Sequence, residues 1–235
     1  MASRDRRSSG GIAVPRLRAG LTEADRSVHE LLIDEGLLDG LSLSELDFSE
    51  AAAELVDVSG CRWTLCKLAG SQLEKLRISD CVFDHCDLAN ARWADSSAVR
   101  TAISASRLTG LSAPGLQLQH VTVRDSVLDF ASFRFAKFTR VEIVDCRLTK
   151  ADFVSADLSG TVFRRCDLGG AEFSNATARK AVFVECDWEG ARGIGSLAGA
   201  TIANSSPTDN LAIAAAMAGA LQITLGDPLD HVEAD

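Results

Sequence analysis

A chain of 235 residues, 46% of them hydrophobic and 24% charged, is long enough for one sizeable domain, and a mean hydropathy of +0.09 fits a water-soluble protein. No run of about 18 apolar residues occurs, which excludes a helical membrane span. The opening MASRDRRSSGG is charged and lacks the apolar centre of a signal peptide, so a cytoplasmic location is expected.

Residues 1–12 are polar and glycine-rich and are expected to form a disordered tail. Residues 13–40 form an N-terminal cap segment. Within it, LTEADRSVHELLIDEG offers Thr22 as a helix cap and Val28, Leu31 and Leu32 as a helical stripe. Val28, Ile33 and Leu38 also keep the five-residue beat described next, and the expectation before residue 36 is a helical or irregular cap.

From residue 41 the chain changes character. ADFVSADLSGTVFRRCDLGGAEF, residues 151–173, repeats a small residue, a variable one and a large apolar one every five positions. In an α-helix five steps turn roughly 500°, and in a strand an odd period flips the side chain to the opposite face, so neither gives one core. The pattern works if each pentapeptide is a short extended piece followed by a corner, with its small and large residues both facing inward. Every fifth residue from Leu43 to Trp188 is apolar, and the column two places earlier, from Leu41 to Ser196, holds only Ala, Cys, Ser, Thr, Val and Leu. An unbroken period of this kind means a solenoid, here expected over residues 41–200 without a slip of frame. Leu68, Leu88, Leu108, Leu128, Leu148 and Leu168 recur at twenty residues, so four pentapeptides close one rung. Eight rungs stacked at strand spacing make a rod on the order of 38 Å long.

ADFVS, ADLSG and CDLGG are near-ideal copies of the motif A(D/N)LXX, and on them the sequence resembles the pentapeptide-repeat family. The resemblance implies a right-handed, four-sided β-helix. The expected fold is therefore an all-β solenoid, a right-handed quadrilateral β-helix of about eight coils with a short C-terminal α-helical cap.

Residues 201–235 form that cap and an acidic tail. In SSPTDNLAIAAAMAGALQ, Ser206 is an N-cap, Pro207 opens the helix and Asp209 lies in its first turn, predicting a helix from about 207 to 218 followed by an extended LQITL. Leu211, Ile213, Met217 and Leu221 suit either a lid on the last rung or a homodimer contact. Dimerisation through C-terminal elements is what the resemblance implies.

Catalytic and metal-binding patterns are absent. All seven cysteines fall in the small inward column, at a closest spacing of five, which reads as buried inert thiols rather than as zinc ligands or disulfides. His85 and His120 occupy outward corners on different sides, and His29 and His231 lie near the ends. GARGIGSLAG at 190–199 has no preceding βαβ context for a dinucleotide loop. No cofactor, no metal and no enzymatic activity are expected.

Function therefore lies on the outside. Asp47, Asp87, Asp167 and Asp187 stand on one edge at rung spacing, interleaved with Lys67, Arg107 and Arg147. The uninterrupted coil resembles the loop-free, gyrase-protective type of pentapeptide-repeat protein, which implies DNA gyrase as partner, bound by an acidic rod that imitates DNA and shields the enzyme from quinolone-type poisons. Charge weakens that implication, because duplex DNA carries one charge per roughly 1.7 Å, about 22 over such a rod. Residues 41–200 hold 21 Asp and Glu against 18 Lys and Arg. Sorted by side, the solenoid carries net charges of −2, −3, −1 and +3, the basic side holding Arg77, Arg100, Lys137, Arg140, Arg179 and Lys180. Without interleaved aromatics that side does not read as a nucleic-acid surface. Phe130 and Phe135 alone among the aromatic residues leave the inward column, and project as a candidate binding pair. Two readings follow: a non-enzymatic gyrase-binding DNA mimic, or a general protein-interaction scaffold with an unrelated partner, the latter favoured by the mixed charge.

Overall fold

A computed structural model describes residues 11–24 and 32–220. The chain winds into a β-solenoid of about nine turns, closed at its C-terminal end by one helix. Successive turns pair in parallel at twenty residues: Arg62 lies beside Val82, Val82 beside Ala102 and Ala102 beside Thr122. Every residue whose number is a multiple of five, from Glu35 to Gly190, has a φ between 46° and 74°. That left-handed residue is the corner, and four of them per turn give the coil its four sides.

Where the residue two places into a pentapeptide is Asp, it stabilises the bend. The Oδ1 atoms of Asp47, Asp87, Asp157, Asp167 and Asp187 accept from the backbone N–H two residues on, at 3.0, 3.0, 3.0, 2.8 and 3.0 Å. An aspartate side chain that mimics a backbone turn is an Asx-turn, which explains why this position repeats as Asp in the sequence.

Inside, the two inward columns fill the shaft. Phe133, Phe153 and Phe173 stack face to face with centroids 5.5 and 5.2 Å apart, and Phe163 and Phe183 stack at 4.8 Å on the opposite side. Trp63 and Phe83 stack at 5.5 Å near the other end. Between these aromatic columns the core is aliphatic, with Ala98, Ile103, Leu108, Leu118 and Val123 around a cavity of about 30 Å³ that is apolar throughout.

The frame does not run unbroken to residue 200. Val182 pairs with Thr201 and Phe183 with Ile202, a spacing of nineteen. A 3₁₀ turn at Ile194–Ser196 drops one residue. The inward place reached by Gly193 has no room: a Cβ there would lie 2.3 Å from the Ser174 nitrogen, and Ile194 and Leu197 fill the core instead. The coil also begins earlier and ends later than the expected eight turns, because Leu37–Asp39 already pairs with Asp57–Ser59 and Thr201–Ala203 closes the far end.

The N-terminal expectation is corrected as well. Thr22 is not a helix cap; Thr22–Glu23 is a short strand pairing with Leu41 and Ser42, since parallel pairing satisfies the exposed edge of the first turn. Before it, residues 11–18 run along the outside of one corner, with Ala13, Pro15 and Leu17 half-buried and Val14, Arg16 and Arg18 exposed. The Ala13 N–H donates to His120 Nδ1 at 3.0 Å, the Arg16 N–H to Asp80 Oδ1 at 3.0 Å, and Arg18 pairs with Asp39 at 3.0 Å. This strap thus crosses several turns. Of the expected tail, residues 1–10 lie outside the described residues, as do Val28 and Leu31.

The C-terminal helix spans Pro207–Ala220. Ser206 Oγ accepts from the Asp209 N–H at 3.0 Å and Asp209 Oδ2 accepts from the Ser206 N–H at 3.3 Å, a reciprocal cap. Asp209 Oδ1 also accepts from the Trp188 N–H at 3.2 Å, tying the helix start to the last full turn. Leu221 and the LQITL segment lie outside the described residues.

Candidate interaction surface

The filled shaft leaves recognition to the outer side chains. On the acidic edge, Asp47 lies 4.0 Å from Lys67 and Asp87 lies 3.7 Å from Arg107. Asp167 accepts from Thr149 Oγ1 at 3.1 Å as well as from its own corner. These aspartates thus serve the turn and a neighbouring rung before they serve any ligand.

Ion pairs between rungs recur on the other sides. The Arg77 guanidinium, bonded to Asp57 at 2.6 Å through Nη2, holds that carboxyl below its ordinary range. Arg100 does the same to Asp80, with Nε to Oδ1 at 2.7 Å, and Arg165 to Asp145, with Nε to Oδ1 at 2.6 Å. The expected basic side is therefore divided. Arg77 and Arg100 are neutralised by acids one rung away, and the strap lies over the same corner; Lys137, Arg140, Arg179 and Lys180 remain exposed.

Phe130 and Phe135 are 58% and 63% exposed, on the two edges of the side formed by residues 131–135. Each has a cation beside it: Lys150 Nζ lies 5.4 Å from the Phe130 ring centroid and the Arg134 guanidinium carbon 5.9 Å from that of Phe135. Those two cations, and not the rings, line an open groove of about 610 Å³ that runs toward the C-terminal end. Its floor carries Val154 between two ion pairs, Arg134 with Asp152 at 2.8 Å and Arg192 with Glu172 at 3.0 Å, and Gly170 and Gly190 lower one wall.

The helical stripe does not present one face. Ile213 is buried against the last turn, whereas Leu211 is 70% and Met217 38% exposed. A Cβ on Gly195 would lie 2.4 Å from the Ala220 Cβ, so the end of the helix sits directly on the 3₁₀ turn.

The seven thiols are buried and form no disulfide; burial pushes the Cys146 thiol up to about 11, whereas a hydrogen bond from Cys86 lowers that of Cys66 to about 7. Among the described residues no group of His, Cys, Asp and Glu is placed to hold a metal ion, and no helix is long and apolar enough to cross a membrane. The strap contacts at Asp80 and His120 escaped the sequence reading. The alternation in AVPRLR is the one local signal for an extended segment there.

A family model described as pentapeptide repeats matches residues 117–153 and 156–192, in eight copies. No curated protein matches the chain. Among solved structures, a trypsin-treated form of QnrB1, described as a plasmid-mediated fluoroquinolone resistance protein, is 19% identical with a TM-score of 0.35, covering 87% of this chain and 95% of that one. HetL from the cyanobacterium Nostoc sp. strain PCC 7120, a pentapeptide repeat protein involved in heterocyst differentiation regulation, is 19% identical with a TM-score of 0.29, covering 72% and 87%. Rfr23 from the cyanobacterium Cyanothece 51142 is 12% identical with a TM-score of 0.22, covering 76% and 93%. Residues 117–192 are thus pentapeptide repeats, and the corner at every fifth residue continues the same coil to either side of them.

Proposed function

We propose that the protein works in the cytoplasm by binding another protein, without catalysis, on the side framed by Phe130 and Phe135. The observation that carries this reading is the pair itself. Both residues sit at positive φ, 57° and 59°, where a side chain with a Cβ costs on the order of 1 kcal/mol, and both hold their rings mostly in water. Folding favours a glycine or asparagine at such a corner, as at Gly110 and Asn90 one rung or two away on the Phe130 edge. Two aromatic prongs whose adjacent cations, Lys150 and Arg134, line a groove suit a partner offering an apolar side chain beside carboxylates.

The row of Asp47, Asp87, Asp167 and Asp187 supports a second reading, in which DNA gyrase is the partner and the rod protects it from quinolone-type poisons. The pairing of Asp47 with Lys67 and of Asp87 with Arg107 opposes it, because a phosphate mimic needs uncompensated charge. A supercoiling assay with purified gyrase, with and without ciprofloxacin, separates the two. Under the first reading supercoiling and drug inhibition are unchanged by the protein. Protection from ciprofloxacin that survives Phe130→Ser/Phe135→Ser but is lost in Asp87→Asn/Asp167→Asn/Asp187→Asn would establish the second and overturn the first.

A further inference from the structure

We propose that residues 11–15 of the strap are a proton-released latch, lying on the coil while His120 is neutral and coming away when it is protonated. The latch is one bond. The Ala13 N–H donates to His120 Nδ1 at 3.0 Å, and among the described residues this is the sole polar tie of residues 11–15. Val14 is 72% exposed, and Pro15 has no N–H to give. The rest of the strap is anchored separately. The Arg16 N–H donates to Asp80 Oδ1 at 3.0 Å, Arg18 pairs with Asp39 at 3.0 Å, and the Thr22 N–H donates to the Gly40 carbonyl at 3.0 Å. Hydrogen bonds from Arg100 to Asp80 and from Ser59 to Asp39 hold both carboxyls below their ordinary range, so these anchors persist at a pH that charges a histidine. A proton can thus free one half of the strap and leave the other in place.

The surroundings of the ring make the bond depend on that proton. A ring nitrogen that accepts carries no hydrogen, so the neutral imidazole bears its hydrogen on Nε2. Nε2 lies 3.2 Å from Arg140 Nη1, which can only donate. Protonation therefore sets an Nδ1–H against the Ala13 N–H, two donors face to face, and adds a second positive charge beside the guanidinium. No neighbouring carboxylate offsets it. The strands Ser97–Ser104 and Lys137–Val144, paired on either side of His120, bring Arg100, Lys137, Arg140 and Glu142, and the strap brings Arg16 and Arg18. Glu142, the one acid among these, is held by Arg124 at 2.7 Å. Histidine changes charge between pH 8 and 5, so the contact is present at the upper end of that window and is lost as pH falls through it. Release uncovers the His120 corner as it becomes cationic beside Arg140, and acid turns a covered stretch of this edge into an open, positively charged one.

Nitrogen-15 relaxation of the full chain across a pH series tests this, with the His120 imidazole titration recorded in the same samples. At about pH 7.5 the backbone order parameters of Ala13 and Val14 should be close to the rigid value of about 0.85, and by about pH 5.5 they should fall below about 0.6, with the midpoint of the imidazole titration. Arg16 and Thr22 should keep their values throughout. His120→Asn sets an amide oxygen where Nδ1 stood, on a residue suited to a left-handed corner, and takes up no proton in this range, so it should abolish the fall. Arg140→Gln removes the neighbouring charge and should move release to higher pH. Unchanged amide shifts at Leu148 and Phe153 would show that both variants keep the coil. Order parameters at Ala13 and Val14 that stay level through the His120 titration, or that fall alike in His120→Asn, would overturn the proposal.

Discussion

At the residue scale the molecule rests on a division of labour within the pentapeptide: two side chains fill the shaft, one bends the corner and, where it is Asp or Glu as at Asp167, one steadies the bend. The steadying role gives a direct test. Asp167 accepts from the Gly169 N–H and from Thr149, so Asp167→Ala leaves a corner amide without its partner and should cost about 1–2 kcal/mol in urea unfolding. The equivalent change at the exposed Glu189 should be near neutral. A second expectation concerns acid. The carboxyls of Asp57, Asp80 and Asp145 are lowered in the folded state by hydrogen bonds from Arg77, Arg100 and Arg165. Their stabilisation is fully present above the unfolded value of about 3.9 and is lost as pH falls through the lower folded values. Urea midpoints should be level between pH 6 and 8 on this account and drop below about pH 4. The inward residues were legible because burial leaves a periodic apolar mark. The corner aspartates read as surface charge, because a carboxylate capping its own backbone has the same sequence signature as one awaiting a partner.

At the scale of the element, the helix start was legible from Ser206, Pro207 and Asp209, whose chemistry is local. Ser206→Ala removes the acceptor for the Asp209 N–H and should destabilise the first turn by about 1 kcal/mol. Hydrogen exchange should speed up at Asp209 and Asn210, whereas the amides around Leu148 and Phe153 should be unchanged. Which helical face meets the core was not legible. Leu211, Ile213 and Met217 look alike in a sequence, and it is the position of Gly195 under Ala220 that turns Ile213 inward and leaves Leu211 in water. The strap was missed for a related reason. Its partners, Asp80 and His120, lie 64 and 107 residues away, and nothing local marks a segment that is held from outside.

At the scale of the whole molecule, each turn touches only its neighbours, so stability is close to a sum of turn energies and interfaces between them. Phe153 stands at the centre of a column, stacked on Phe133 and Phe173 and in edge contact with Phe138 and Phe163. Phe153→Ala should cost about 3–5 kcal/mol and weaken the coupling across that rung. Denaturation should then resolve into two steps, the N-terminal turns melting apart from the C-terminal ones, where the parent melts in one.

Both terminal pairings are a residue short: Thr22 meets Leu41 and Val182 meets Thr201 at nineteen, against twenty in the interior. A stack of parallel strands is otherwise an invitation to endless growth, since each exposed ladder can template another chain. Here the perimeter of the last loop no longer matches that of a regular coil. The shortened last loop and the helix seated on it leave no matching ladder for a second rod at the C-terminal end.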